Sequence, residues 1–187
     1  MKRFLQFCVV LTLALVVGSC GGNSTLDNTQ AAVFLTVEID ENVPDVDLCA
    51  QNFDLTVGRM TINSSAKNTE ANLTSGQDVN LTRWVITPYR TDNASATPSP
   101  EWSYNQAVYV PADGTADLEN YRIYPLELMR EIPLAYLLPE NGGFDPETGN
   151  TNIRQSLQLQ IFGETISGKS VATEKVSIAF NFFCLAQ

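Results

Sequence analysis

The tightest constraint on this chain is a two-residue rhythm in its last third. Leu157, Leu159 and Ile161 alternate with Ser156, Gln158 and Gln160, and Val176, Ile178, Phe180 and Phe182 alternate with Ser177, Ala179 and Asn181. Side chains of a strand point to opposite faces in turn, so such a run suits a sheet with one buried and one solvated face. A helix would scatter the same residues around its axis. Gly163 and the Ser167-Gly168 pair lie between the two runs, which predicts a β-hairpin.

The same rhythm recurs upstream. Val33, Leu35, Val37 and Ile39 share one parity and predict a first strand. A second is expected over 53–62, where Phe53, Leu55 and Val57 face one way and Met60 and Ile62 the other. A bulge at Gly58 would reconcile the two halves. A third covers 79–89, with Trp84 and Ile86 inward, and shorter ones are expected over 107–110 and 118–125. Pro111-Ala112-Asp113-Gly114 reads as a turn, and 63–78 and 91–105 as irregular connections. The apolar stretch 126–138 suits a short helical crossover, interrupted by Pro133 and ended by Pro139. Many short strands with Gly- and Pro-bearing turns predict an all-β fold, an antiparallel β-sandwich, with a closed barrel as the alternative.

The amino terminus follows a different logic. Lys2 and Arg3 precede an apolar stretch from Phe4 to Val17, followed by Gly18, Ser19 and Cys20. A positive start, a short apolar core and small residues mark a secretory signal, and the run falls short of the ~18–20 residues that cross a bilayer. Val17-Gly18-Ser19-Cys20 resembles the lipobox of bacterial lipoproteins. That resemblance implies cleavage after Ser19, lipid on Cys20, and a membrane association made through the acyl chains. Gly21 and Gly22 in place of an aspartate after the cysteine imply outer-membrane in preference to inner-membrane routing. Residues 20–31 are polar and read as a flexible lipidated tether, leaving 32–187 as the folded domain.

The segment IFGETISGKSVATEKVSIAFNF resembles the closing hairpin of immunoglobulin-like or fibronectin-like modules of bacterial surface proteins. With NGGFDPETGNTNIR and VNLTRWVITPYRTDN, most of the chain after Cys20 resembles small envelope lipoproteins of uncharacterised function. The fold implied is an immunoglobulin-like sandwich, and no activity comes with it.

Composition narrows the function classes. Losing Lys2 and Arg3 with the signal leaves 9 basic against 21 acidic residues, a charge of about −12. That balance disfavours nucleic acid, whose recognition needs Lys and Arg against phosphate, and an electrostatic hold on anionic lipid. Histidine is absent, which excludes a Ser-His-Asp triad, a Cys-His nucleophile and histidine-ligated metal. Ser167, Ser170 and Lys169 read as a plain turn, so no enzyme is expected.

Cys8 leaves with the signal and Cys20 takes lipid, so Cys49 and Cys184 remain in an oxidising compartment. A disulfide between them is expected, worth on the order of 4–5 kcal/mol by loop entropy, with two buried free thiols as the alternative. Cys184 continues the parity of Phe180 and Phe182, which predicts an internal bond. Asp145, Glu147 and Asn150, among glycines, are the candidate ligands for a structural calcium ion, against a plain turn; no other cofactor is expected. Trp102 and Tyr104, beside Pro98 and Pro100, are candidates for an exposed aromatic surface that could meet a glycan or a partner. The expected role is therefore a lipid-anchored, non-catalytic interaction or structural module with an envelope protein partner, and a glycan- or calcium-binding lipoprotein is the alternative.

Overall fold

The alternating stretches become strands of two sheets that share one apolar core. The computed structural model describes residues 31–40, 45–70 and 72–185, so Cys20, the expected signal and residues 20–30 of the expected tether lie outside the described residues. The first sheet has the order β1-β3-β6, formed by β1 (Val33–Ile39), β3 (Leu55–Ala66) and β6 (Thr115–Tyr124). The second runs β2-β9-β7-β4-β5, formed by β2 (Asp45–Asp47), β9 (Val176–Phe183), β7 (Asn152–Thr165), β4 (Val79–Arg90) and β5 (Trp102–Val110), with β8 (Ser170–Ala172) also on β7. The expected all-β sandwich is the fold observed. Pairing is antiparallel within both sheets except for β2 against β9. Ala31 is buried in the core, so the folded body begins at least one residue before the expected boundary.

β7 and β9 form the predicted pair, with Leu157 opposite Ile178 and Leu159 opposite Val176. Their connection holds a strand the rhythm did not show, the three-residue β8. Residues 102–105, read as irregular, belong to β5, and Phe53, read as inward, is 68% exposed because β3 starts only at Leu55. Leu35, Ile62, Trp84, Ile123, Ile161 and Phe182 meet between the sheets with almost no exposure; burying each such side chain contributes about 1.5–3 kcal/mol.

Two parity switches shape the sheets. In β4, Val79 and Leu81 face the core, and so do Trp84 and Ile86. Thr82 is the extra residue between them, since Leu81 pairs with Gly163 and Arg83 with Phe162. At that bulge the backbones approach so closely that a Cβ on Gly163 would lie 2.1 Å from the Asn80 carbonyl oxygen. In β3 the switch occurs at Gly58 as predicted, but without a shift of register. β6 makes a matching switch at Asn120, whose φ of 49° is left-handed, so Val57 opposes Tyr121 and Met60 still opposes Leu118. Asparagine is among the few residues that accept this conformation.

The crossover expected over 126–138 is the short helix α1 (Leu126–Met129), then 3₁₀ turns at Leu134–Leu137 and Pro139–Asn141. Met129, Leu134 and Leu137 are buried. Among the described residues no helix is long and apolar enough to cross a membrane.

The register gives the sandwich two distinct ends. Ala31 enters beside the 67–78 loop, where Lys67 N–H donates to the Ala32 carbonyl, and the 111–114 and 166–169 turns share this end. At the opposite end lie the connections 48–54, 91–101 and 125–151, and the chain beyond β9.

Candidate functional site

The loop end is organised by a charge on the buried face of a strand. Trp84, Ile86, Pro88 and Arg90 share the inward parity of β4, so the strand delivers a guanidinium into the interior. The Arg90 and Asp145 side chains are both 0% exposed. Arg90 Nη2 donates to Asp145 Oδ2 at 2.7 Å and to Asp92 Oδ2 at 2.8 Å, and Nε donates to Asp92 Oδ1 at 2.7 Å. Such a charge is tolerated in the interior only when paired and hydrogen-bonded.

Both carboxylates carry the contact outward into loops. Asp92 Oδ2 accepts the Arg154 N–H at 3.0 Å and Oδ1 the Asn93 N–H at 2.8 Å. Asp145 accepts from Thr148 Oγ1 at 2.8 Å and from the Glu147 N–H at 3.1 Å. Burial pushes both carboxyls up, and the hydrogen bonds and charge of Arg90, helped by these N–H and hydroxyl donors, bring them below the usual aspartate value. Burial works to lower the Arg90 guanidinium and the two aspartates more than offset it, leaving it raised.

The three candidate calcium ligands are thus placed differently from a cation cage. Asp145 faces Arg90. Glu147 spends its oxygens on Thr97, from the backbone N–H at 2.6 Å and the hydroxyl at 2.7 Å. Asn150 acts through its backbone carbonyl, which accepts the Asp145 N–H at 2.8 Å. Arg90 meets this loop at Asp145, and its bonds to Asp92 together with those of Glu147 to Thr97 join the loop to 91–101. Nearby, Gln155 exchanges hydrogen bonds with Ser99, and the Tyr124 hydroxyl donates to the Pro100 carbonyl at 2.6 Å.

The other half of this end is bracketed by Asp54, whose oxygens accept from the Leu126 N–H at 2.9 Å and Arg122 Nη1 at 3.0 Å. Arg130 Nη2 donates to the Gln51 carbonyl at 3.0 Å. The expected Cys49–Cys184 disulfide is present, but it is not internal. Cys49 is exposed and Cys184 half-buried, because Cys184 lies past the end of β9 where strand parity no longer applies.

Four large apolar side chains project from this framework: Phe53 at 68% exposure, Leu185 at 63%, Ile132 at 53% and Phe144 at 48%. Exposed Glu127, Glu131 and Glu140 lie on the same crossover. These are large apolar side chains held in water beside exposed acids. The expected aromatic patch is elsewhere and turned inward: the half-buried rings of Trp102 and Tyr104 stack at 4.2 Å, with Arg122 over Trp102 at 4.9 Å. Trp84 is core, as read, and its Nε1 donates to the Gln106 carbonyl at 2.9 Å.

The sequence reading missed Arg90 and the loop anchors. Arg90 was legible in principle, because an arginine continuing the inward parity after Trp84 and Ile86 requires buried acids. Phe53 and Leu185 carried no such signal.

No protein-family model matches the sequence, and no curated protein aligns with it significantly. Among solved structures, the crystal structure of a protein from Archaeoglobus fulgidus aligns with 86% of this chain and 100% of its own, at 9% identity and a TM-score of 0.37. A likeness at that level carries no functional argument.

Proposed function

We propose that this protein is a non-catalytic display module of the bacterial envelope, held by lipid on Cys20 and binding a protein partner through the loop end of its sandwich. The observation that carries this reading is the separation of chain entry from the larger exposed apolar set. Ala31 enters at the turn end, where Tyr109 and Ile166 are exposed, while Phe53, Ile132, Phe144 and Leu185 project from the opposite one. A tether running back from Ala31 to a lipidated Cys20 would leave those loops facing away from the membrane. The lipobox-like Val17-Gly18-Ser19-Cys20 and the glycines after it support anchoring, at the outer membrane in preference to the inner. The buried Arg90 cluster supports binding, since loops fixed before contact lose less entropy on association. The acidic rim favours a partner with basic groups around apolar pockets.

The test is photo-crosslinking in the native envelope from Phe53 and, separately, from Ile166, an exposed residue of the turn end. A discrete protein adduct from Phe53 alone is the expected result. Equal adducts from both ends, or detergent partition unchanged by Cys20→Ser, would overturn the reading.

A further inference from the structure

We propose that Asp47, Cys49 and Cys184 form a redox-gated site for a thiophilic cation, closed while the disulfide stands and opened by a dithiol reductant. This does not rest on the display function above. The Asp47 carboxylate and the two sulfurs lie within 4.8 Å of one another, and the disulfide is at the surface, open to thiol exchange. Asp47 Oδ1 accepts the Cys49 N–H at 3.0 Å and the Leu185 N–H at 3.2 Å, which aims the carboxylate at both cysteines. Among the described residues its other oxygen, Oδ2, accepts no hydrogen bond.

The segments that carry the sulfurs are held together independently of the S–S bond. β2 pairs with β9 from Asp45–Asn181 to Asp47–Phe183, the Leu48 N–H donates to the Phe183 carbonyl at 2.8 Å, and Val46, Leu48 and Phe182 are buried. Reduction therefore releases two thiols that stay neighbours. In that step the dithiol gives two electrons and two protons: the protein S–S bond becomes two S–H groups and the reductant closes its own disulfide. A divalent cation then displaces the two thiol protons. In a tetrahedral Zn²⁺ site with Zn–S near 2.3 Å, the sulfurs sit about 3.8 Å apart. The Cα atoms of Cys49 and Cys184 are 5.1 Å apart, so side-chain rotation supplies that separation. Two thiolates and one carboxylate select Zn²⁺ over Ca²⁺ or Mg²⁺, with water in the fourth position. The hydrogen bonds from the Cys49 and Leu185 amides orient the carboxylate ligand as outer-sphere partners do.

The test uses the full chain with Cys8→Ser and Cys20→Ser, so that its thiols are those of Cys49 and Cys184. Zn²⁺ is titrated into the oxidised and the dithiol-reduced forms, with Co²⁺ absorption as the report of thiolate ligation. The expected result is one ion per reduced chain, none per oxidised chain, a thiolate-to-cobalt band, and a Tm lowered by reduction and partly restored by Zn²⁺. Asp47→Asn keeps the Oδ1 acceptor while removing the charge, and is expected to weaken Zn²⁺ binding at least tenfold with near-UV circular dichroism unchanged. Cys184→Ser should abolish the cobalt band. Equal binding by both redox forms, an Asp47→Asn chain with unaltered affinity, or a reduced chain that loses its near-UV signal and does not regain it with Zn²⁺ would each overturn the proposal.

Discussion

The two ends of the sandwich solve the problem of joining strands by different means. At the turn end, the half-buried Asp78 gathers its neighbours: its carboxylate accepts from the Tyr109 hydroxyl and the Ala112 N–H, and its carbonyl from the Ile166 N–H. Thr165 Oγ1 accepts the Lys169 N–H. The Asp78–Tyr109 bond lies near water, where it contributes modestly and its loss is made good by solvent. At the loop end the chain must order 91–101 and 125–151, and it does so with a guanidinium stripped of water between two carboxylates. A wet hydrogen bond suffices for a turn. A long loop that must keep one shape is fixed here by a partner set too costly to leave half-made.

The largest test of this contrast removes the covalent link. Cys49→Ser with Cys184→Ser should lower unfolding free energy by about 4–5 kcal/mol, the loop-entropy value for a closure spanning most of the domain, as read by denaturant titration. Next, Asp145→Ala should cost about 3–5 kcal/mol by leaving Arg90 buried without one of its two carboxylates, and should speed amide exchange in both 91–101 and 139–151. Equal loosening of the 67–78 loop would break the proposed division of labour.

Acid should act in the same direction. Folded Asp92 and Asp145 sit below the unfolded aspartate value of about 3.9. Their contribution is complete above that value and fades as pH falls through their folded ones. Exchange at the loop end should therefore rise on acidification. Because Asp78 at the turn end is held low as well, the contrast lies in the larger rise where protonation leaves Arg90 buried without its counter-charges. Gly163→Ala should cost about 1–3 kcal/mol by forcing the β4–β7 bulge apart, with the Arg90 cluster's exchange unchanged. Smallest of all, Ile132→Ser with Leu185→Ser, both exposed, should alter stability by less than about 0.5 kcal/mol while weakening the crosslink from position 53.

The parity of hydrophobic residues made most strands and one pairing, β7 with β9, legible, because period two is imposed by the pleat; the order of the other strands carries no such local signal. The three-residue strands β2 and β8 were not legible, since three residues carry too little alternation to register. Phe53 was misread for a related reason: parity says which side a residue faces but not where the strand begins. The Asp145 loop was legible as a turn rich in oxygen ligands, yet Asp145 serves Arg90, 55 positions away in sequence, which only the fold brings to it. The surface position of the disulfide was hidden in the same way, by where β9 stops.

The paired irregularity at Gly58 and Asn120 has a consequence for how this sheet tolerates changes of length. Excising Gly58 alone would leave Leu55 and Val57 on the inward parity of Met60 and give β6 one residue too many at Asn120, a bulge on the partner strand, whereas excising Gly58 and Asn120 together would give plain alternation on both strands. β1 would be indifferent, since its pairing with β3 ends at Met60. A single change of length along this seam is thus taken up as a bulge on one strand, and a paired one leaves the register across it unshifted.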